Sequence, residues 1–289
     1  MKHKFFVLGG DLRSIYLSLM LEEEGNKVCI YGLEKNSELM ENRLIEKCDS
    51  IKSGMEKAEI IIAPVPFSSD GVKIKAPFSN QEIFIEELLK NNKSKIFIAG
   101  NIKNSIKQLL KEKYLKVIDV MEREELAILN TIATAEGAIE VAINNTDRIL
   151  QGANVLVLGF GRVAKIVANK FSNLSAKVTC SARKKTDLAW IEAYGYNSLD
   201  INDMVYYLKD FDIIINTVPQ VIINERELKH MNSNVLLIDL ASTPGGFDSK
   251  TAINMGLKYV WALALPGKVA PKTSAKIIKE TIGNTLEEI

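Results

Sequence analysis

The sequence predicts an α/β protein of two successive doubly wound parallel-sheet units, on three observations. Short apolar runs alternate with helical patterns along the chain, a glycine fingerprint follows one such run near the middle, and a long proline-free helical pattern separates the halves. Strands alternating with helices imply a parallel sheet covered on both faces. A chain of 289 residues is long enough to bury roughly three quarters of its unfolded surface and to form two domains of about 150 residues each.

The first element, "KFFVLGG", is an apolar strand ending in a Gly-Gly turn. Leu12, Ile15, Tyr16, Leu19 and Met20 follow at helical spacing, and Gly25 supplies the stop. "KVCIY", "EIIIAP", "KIFIAG" and "KVIDV" read as further strands, with "QEIFIEELLKNN" as an intervening helix. The segment from Pro64 to Pro77 breaks the rhythm with Pro, Gly and Ser. It reads as a functional loop or small hairpin, because ordinary connections run only ~2–6 residues. Residues 1–122 are thus expected to form a flavodoxin-like α/β unit.

Residues 123–150 read as one connecting helix carrying Leu126, Leu129, Ile132, Ala133, Ile139 and Ile143, weakened only at Gly137. The second unit, 151–268, holds the strands "NVLVLGF", "KVTCSA", "FDIIIN", "NVLLIDL" and "KYVWA". A last helix over 269–289 is opened by Pro271, whose fixed φ suits an initiating position.

Composition limits the chemistry. With 37 Lys+Arg against 36 Asp+Glu, a net charge of +1 argues against a nucleic-acid footprint, which needs a basic excess. No apolar stretch approaches the ~18 residues of a membrane span, and the apolar run after "MKHK" is too short for a signal-peptide core. Cys29, Cys48 and Cys180 are odd in number and form no CxxC motif. No disulfide framework or metal site is expected, and a reducing cytoplasm is the expected home. His3 and His230 are the only histidines.

"VLVLGFGRVA" is the sharpest signal. Gly159, Gly161 and Ala164 fit the GxGxxG/A fingerprint of a Rossmann dinucleotide site, with Phe160, Arg162 and Val163 between them. The first glycine permits the turn, the second admits a pyrophosphate, and the helix N-terminus favours the anion. NAD binders place an acid at the end of the second strand. Here Ser181, Ala182, Arg183, Lys184 and Lys185 stand in that region instead, and cations beside a hydroxyl suit the 2′-phosphate of NADP(H). Thr217, Val218 and Pro219, then Asp239, Ala241, Ser242 and Gly245-Gly246, fall at later strand ends and outline a place for the nicotinamide. "GGDLR" lacks the full fingerprint, so the first unit reads as substrate-binding.

Together, "GGDLR", "EREELAILNTIATAEGAIEVA", "VLVLGFGRVA" and "DLASTPGGFD…LALPGKVAPKTSAKII" resemble the A-subunit family of bacterial dipicolinate synthases over nearly the whole chain. The resemblance implies a catalytic domain made of the N-terminal unit plus the final helix, similar in plan to the two-domain dehydrogenases of 2-hydroxy acids and alanine. It also implies synthesis of dipicolinate from dihydrodipicolinate, or from its hydroxylated tetrahydro precursor, in the mother cell of a sporulating bacterium. The flavoprotein-like B subunit of dipicolinate synthase is the implied partner, and a homo-oligomer is expected.

A dicarboxylate substrate needs fixed cations or helix N-termini. Arg13 and Arg123 are the expected clamps, assisted by Lys268 or Lys272, with Ser68 and Ser69 in the Pro-rich loop as further binding groups. Glu124 and Glu136 are candidate proton acceptors, and Thr134 lies on the same helix. No histidine falls between Asn234 and Pro271, which disfavours a His-dependent hydroxy-acid dehydrogenase. Two rivals stay open: a non-catalytic protein for NADP binding and assembly, and an alanine- or hydroxy-acid-type dehydrogenase.

Overall fold

The structure, a computed structural model, describes residues 2–90 and 92–289. The chain divides into one unit of Met1–Leu129 with Ala270–Ile289, and a second of Asn130–Val269. The first unit contains β1 (Lys4–Leu8), α1 (Leu12–Glu23), β2 (Lys27–Tyr31), α2 (Ser37–Glu41), β3 (Glu46–Lys47), α3 (Ile51–Lys57) and β4 (Ile60–Ile62). It continues through β5 (Asn92–Ala99), α4 (Asn104–Lys113) and β6 (Tyr114–Asp119) into the start of α5 (Glu124–Asn145). The second unit runs β7 (Asn154–Leu158), α6 (Arg162–Asn173), β8 (Lys177–Ala182), α7 (Lys185–Ala193), β9 (Asn197–Asp200) and β10 (Ile213–Asn216). Then come α8 (Glu225–Leu228), β11 (Leu236–Asp239), α9 (Ser249–Asn254), β12 (Lys258–Trp261) and α10 (Leu265–Val269), before α11 (Pro271–Glu287) closes the chain.

Each unit holds a six-stranded, wholly parallel sheet. The orders are β3-β2-β1-β4-β5-β6 and β12-β11-β10-β7-β8-β9. Both are the dinucleotide-fold order, so the first unit departs from the flavodoxin-like arrangement expected for it. Alternation along the strands builds two apolar layers per sheet. Phe5 and Val7 face α1 and α11, while Phe6 and Leu8 face the side covered by α3 and α4. In the second unit Val155 and Val157 join Ala135, Ala138, Ala142 and α6, whereas Leu156 and Leu158 join Leu208 and Phe247. The final helix packs on α1, burying Ala275, Ile277, Ile278 and Ile282 with Ile15, Leu17 and Leu21.

Three local expectations change. The pattern "QEIFIEELLKNN", whose Asn91 lies outside the described residues, forms only a 3-10 turn over Ile85–Leu88. The reason is pairing: Ile74 and Ile85 donate to the carbonyls of Ile83 and Val72 at 2.9 Å each. That hairpin recruits the chain before a helix can form, and it extends the Pro-rich loop. Secondly, α5 ends at Asn145 rather than continuing to residue 150. Thirdly, α5 is one helix long and apolar enough to cross a membrane. Part of its apolar surface has a core role, Leu126 in the first unit and the three alanines above in the second, whereas Ile128, Leu129, Ile132 and Ile143 are exposed.

Candidate functional site

In the second unit the β7–α6 turn divides labour between its glycines. Gly159 has φ +95°, and a Cβ there would lie 2.9 Å from both Thr217 Oγ1 and Val218 Cγ2. It is required by the backbone. Gly161 caps α6 at an ordinary φ of −80° without a side-chain acceptor, and a Cβ there would meet nothing within 4 Å. Its smallness therefore serves space outside the protein, at a helix N-terminus whose dipole attracts anions. Ala164 is fully buried, which lets α6 sit close to the sheet. Phe160 packs edge-on to Tyr194 at 5.9 Å.

Beside this turn lies a cavity of about 420 Å³, walled by the carboxyl ends of β7, β8, β9 and β10. Ile201, Met204, Val205, Val218 and Ile222 supply apolar wall. Arg183, Lys184 and Arg226 supply cations, with Asp187 and Glu227 as the acids. The Glu227 carboxylate is held in a capping box, accepting the Asn224 amide at 3.0 Å. Ser181 and Ala182 complete the β8 edge. The Ser181 hydroxyl is buried without a hydrogen-bond partner, an uncommon state for a native polar atom. A turn with room for a pyrophosphate, an apolar slot, unpaired cations and this orphaned hydroxyl fit a nicotinamide dinucleotide. The "RKK" run is not uniform: Lys185 turns to Asp200 at 2.8 Å and is absent from the cavity wall.

The other expected cofactor residues lie at the start of α6 and at the later strand ends. Arg162 and Val163 open α6, and Pro219 is exposed. Thr217 donates its hydroxyl to the Leu158 carbonyl at 2.8 Å. Asp239 is fully buried. Its carboxylate accepts Asn216 Nδ2 at 2.8 Å and the amides of Ala241 and Gly246 at 3.1 and 2.7 Å. It is therefore a brace for the loop after β11 rather than a ligand contact. The Ala241 carbonyl accepts the Trp261 indole at 2.9 Å, tying the same loop to β12.

The first unit treats its Gly-Gly turn differently. The Gly10 amide donates to the Lys75 carbonyl at 2.8 Å, and a Cβ on Gly9 would lie 3.0 Å from Ala76 Cβ. The Pro-rich loop thus occupies the approach a pyrophosphate would need, in keeping with the incomplete fingerprint. Asp11 caps α1 and grips Arg13, at 2.9 Å to Nε and 2.8 Å to one terminal nitrogen. Arg13 also donates to the Val65 carbonyl, and Lys75 Nζ stands 3.5 Å from Asp11. Burial pushes the Asp11 carboxyl up, but the hydrogen bonds and charge of Arg13, then Lys75, hold it below its ordinary value.

Arg13 is thus 7% exposed and already paired. Arg123 is paired too: it donates to Glu125 at 2.8 Å and bidentately to Glu288 at 2.6 and 2.7 Å. The return of α11 beside the start of α5 makes Arg123 an anchor for the chain terminus instead of the free clamp expected. Ser68 is buried and donates to Asp70 at 3.1 Å, whereas Ser69 is exposed. The Asp70 carboxyl is held down at about 2 by the amides of Lys73 and Val72. Thr134 donates to the Asn130 carbonyl at 2.9 Å within its own helix. Glu136 pairs with Lys170 at 2.8 Å. Glu124, Lys268 and Lys272 are exposed, on α5, α10 and α11. His3 sits edge-on to Phe5, and exposed His230 approaches the Arg226 carbonyl.

Comparison with known proteins agrees with this geometry. Residues 4–121 match the model of the N-terminal domain of the dipicolinate synthase A subunit. The chain is 33% identical to the dipicolinate synthase A subunit of Bacillus subtilis (strain 168) over 288 residues, 99% of this chain and 96% of that protein. It belongs to the dipicolinate synthase A-subunit family. The solved A subunit from Bacillus halodurans superimposes with a TM-score of 0.89 at 32% identity, covering 98% of this chain and 97% of that one. Residues 133–245 match the NAD-binding domain of D-isomer-specific 2-hydroxyacid dehydrogenases. A shikimate dehydrogenase (NADP(+)) of Staphylococcus aureus (strain bovine RF122 / ET3-1) is 28% identical over 155 residues, 46% of this chain and 56% of that protein. As a member of the family, the chain is a dehydrogenase-type component of a complex, with a domain for a nicotinamide cofactor.

Sequence reading missed Ile201, Met204, Val205, Ile222 and Arg226 of the cavity wall. The first three follow β9, whose sequence "NSLD" carries no apolar alternation. With that strand unseen, the loop after it had no place in the sheet. Arg226 had a signal only in retrospect, as a cation on the loop after β10, where ligands gather.

Proposed function

We propose that the chain is the NADP-dependent oxidoreductase component of a synthase that forms pyridine-2,6-dicarboxylate. Its substrate is dihydrodipicolinate or the hydroxylated tetrahydro precursor, which becomes dihydrodipicolinate on losing water. The observation that carries the cofactor half is the β8 edge of the cavity, where Ser181, Ala182 and Arg183 stand in place of an acid. The shikimate dehydrogenase relative, named for NADP(+), supports it.

Aromatisation of the dihydro ring releases a hydride and a proton, and bound NADP supplies the hydride acceptor. The chain's own residues bind and orient. The turn at Gly159–Gly161 and the N-terminus of α6 hold the pyrophosphate, and Arg183 and Lys184 hold the adenosine end. In the first unit, Arg13 and Lys75 against Asp11 leave one net positive charge at the carboxyl end of β1, beside the point where the strand order reverses. That cluster suits one substrate carboxylate. Partnership with a flavoprotein-like B subunit, a homo-oligomeric assembly and work in the cytoplasm of a sporulating mother cell belong to the same reading.

One observation favours a second reading, in which the chain binds NADP without catalysing: both histidines and Glu136 are placed or paired elsewhere. Incubating the isolated chain with NADP and enzymatically generated dihydrodipicolinate separates the two. NADPH formation by the chain alone supports the catalytic reading. NADPH only in the presence of the B subunit supports the binding role.

A further inference from the structure

The cationic wall of the cavity comes from two places in the chain. Arg183 and Lys184 follow β8, the expected source of a nucleotide-discriminating residue. Arg226 comes from α8, on the loop after β10, and lines the same cavity. Several cations of this unit away from the cavity wall are neutralised by neighbours: Lys185 by Asp200, Arg148 by Asp212, Lys170 by Glu136. Among the described residues, Arg183 and Arg226 make no ion pair. The acids on either side of Arg226 are engaged elsewhere, Glu227 by the amide of Asn224 and Glu225 by Lys229 at 2.7 Å. Asn224 and Glu227 fix α8, so the base of the Arg226 side chain is fixed while its guanidinium is left without a carboxylate.

Two unpaired guanidinium groups beside an apolar slot favour a ligand with a flat apolar body and a dianionic substituent. Resting on the NADP reading above, we infer that Arg226 is a second specificity residue for the cofactor, closing with Arg183 on the 2′-phosphate of the adenosine. The planar forks of two arginines satisfy a dianion better than one does, since each supplies paired donors to different oxygens. NAD carries only a 2′-hydroxyl at that position, so both cations stay unpaired when it binds. Discrimination is then shared between the loops after β8 and β10, rather than residing in the "SARKK" run alone.

Calorimetric titration of the full chain tests this without turnover. Wild type, Arg183→Ala, Arg226→Ala and Arg226→Lys are each titrated with NADP, NAD, adenosine 2′,5′-bisphosphate and adenosine 5′-monophosphate. Arg226→Ala is expected to weaken both 2′-phosphorylated ligands ~10-fold or more, as loss of a charge-assisted hydrogen bond implies. The two ligands lacking that phosphate should be nearly unmoved, and Arg226→Lys should recover part of the loss. Equal weakening of all four ligands, or no weakening of any, overturns the role of Arg226 while Arg183→Ala still reports on the NADP reading. Equal affinity of the wild type for NAD and NADP overturns the cofactor reading itself, and this inference with it.

Discussion

The amide of Gly10 donates to the carbonyl of Lys75 at 2.8 Å. This contact seals the Gly-Gly turn of a sheet that otherwise has dinucleotide-fold order, and the proposed function puts the cofactor at the turn of Gly159–Gly161 instead. One dinucleotide should therefore bind per chain. Gly161→Ala should abolish that binding, because its methyl would enter open space that the pyrophosphate needs. The fold should be unaffected, within about 0.5 kcal/mol. Calorimetric stoichiometry and urea unfolding of the variant check both halves.

Gly246→Ala should behave in the opposite way. Its Cβ would lie 2.2 Å from Asn216 Nδ2, inside the buried brace formed with Asp239. Overpacking of this kind costs about 1–3 kcal/mol. A fall in the urea midpoint, with cofactor affinity weakened only as far as the loop after β11 shifts, is the expected outcome.

Acid should release the Asp11–Arg13 pair. The folded-state pKa of Asp11 lies below its ordinary value, so the pair's contribution to stability is complete above the ordinary carboxylate range. It is lost as pH falls through the lowered value. Wild type should therefore be more stable than Asp11→Asn at neutral pH, and the gap should close in strong acid. Unfolding curves of both proteins from neutral pH downward measure it; a gap independent of pH would contradict the assignment.

Arg123→Ala and Glu288→Ala should act alike, because each removes the same bidentate contact. A double-mutant cycle on stability should give coupling between them, with substrate KM unchanged in either variant. A rise in KM confined to Arg123→Ala would return that arginine to the substrate.

Much of this was legible in the sequence. The apolar strands and the fingerprint fixed a parallel α/β plan, and "SARKK" pointed to the end of β8. What stayed hidden has physical causes. β3 has two residues, and β9 is polar, so neither carries a periodic signal. Asp239 reads as a ligand from its place at a strand end, but only the fold reveals that Asn216 and the loop amides of Ala241 and Gly246 engage its carboxylate. Arg13 and Arg123 have the charge a dicarboxylate needs, but their partners, Asp11 and Glu288, lie two and 165 residues away. Composition cannot say which carboxylate an arginine meets first.

The most direct test is to supply the chain and its B-subunit partner with dihydrodipicolinate and either NADP or NAD, following pyridine dicarboxylate and reduced cofactor together. The account predicts one NADPH for each pyridine dicarboxylate formed, with NADP clearly preferred over NAD. Pyridine dicarboxylate produced at full rate with no reduced nicotinamide appearing would contradict it.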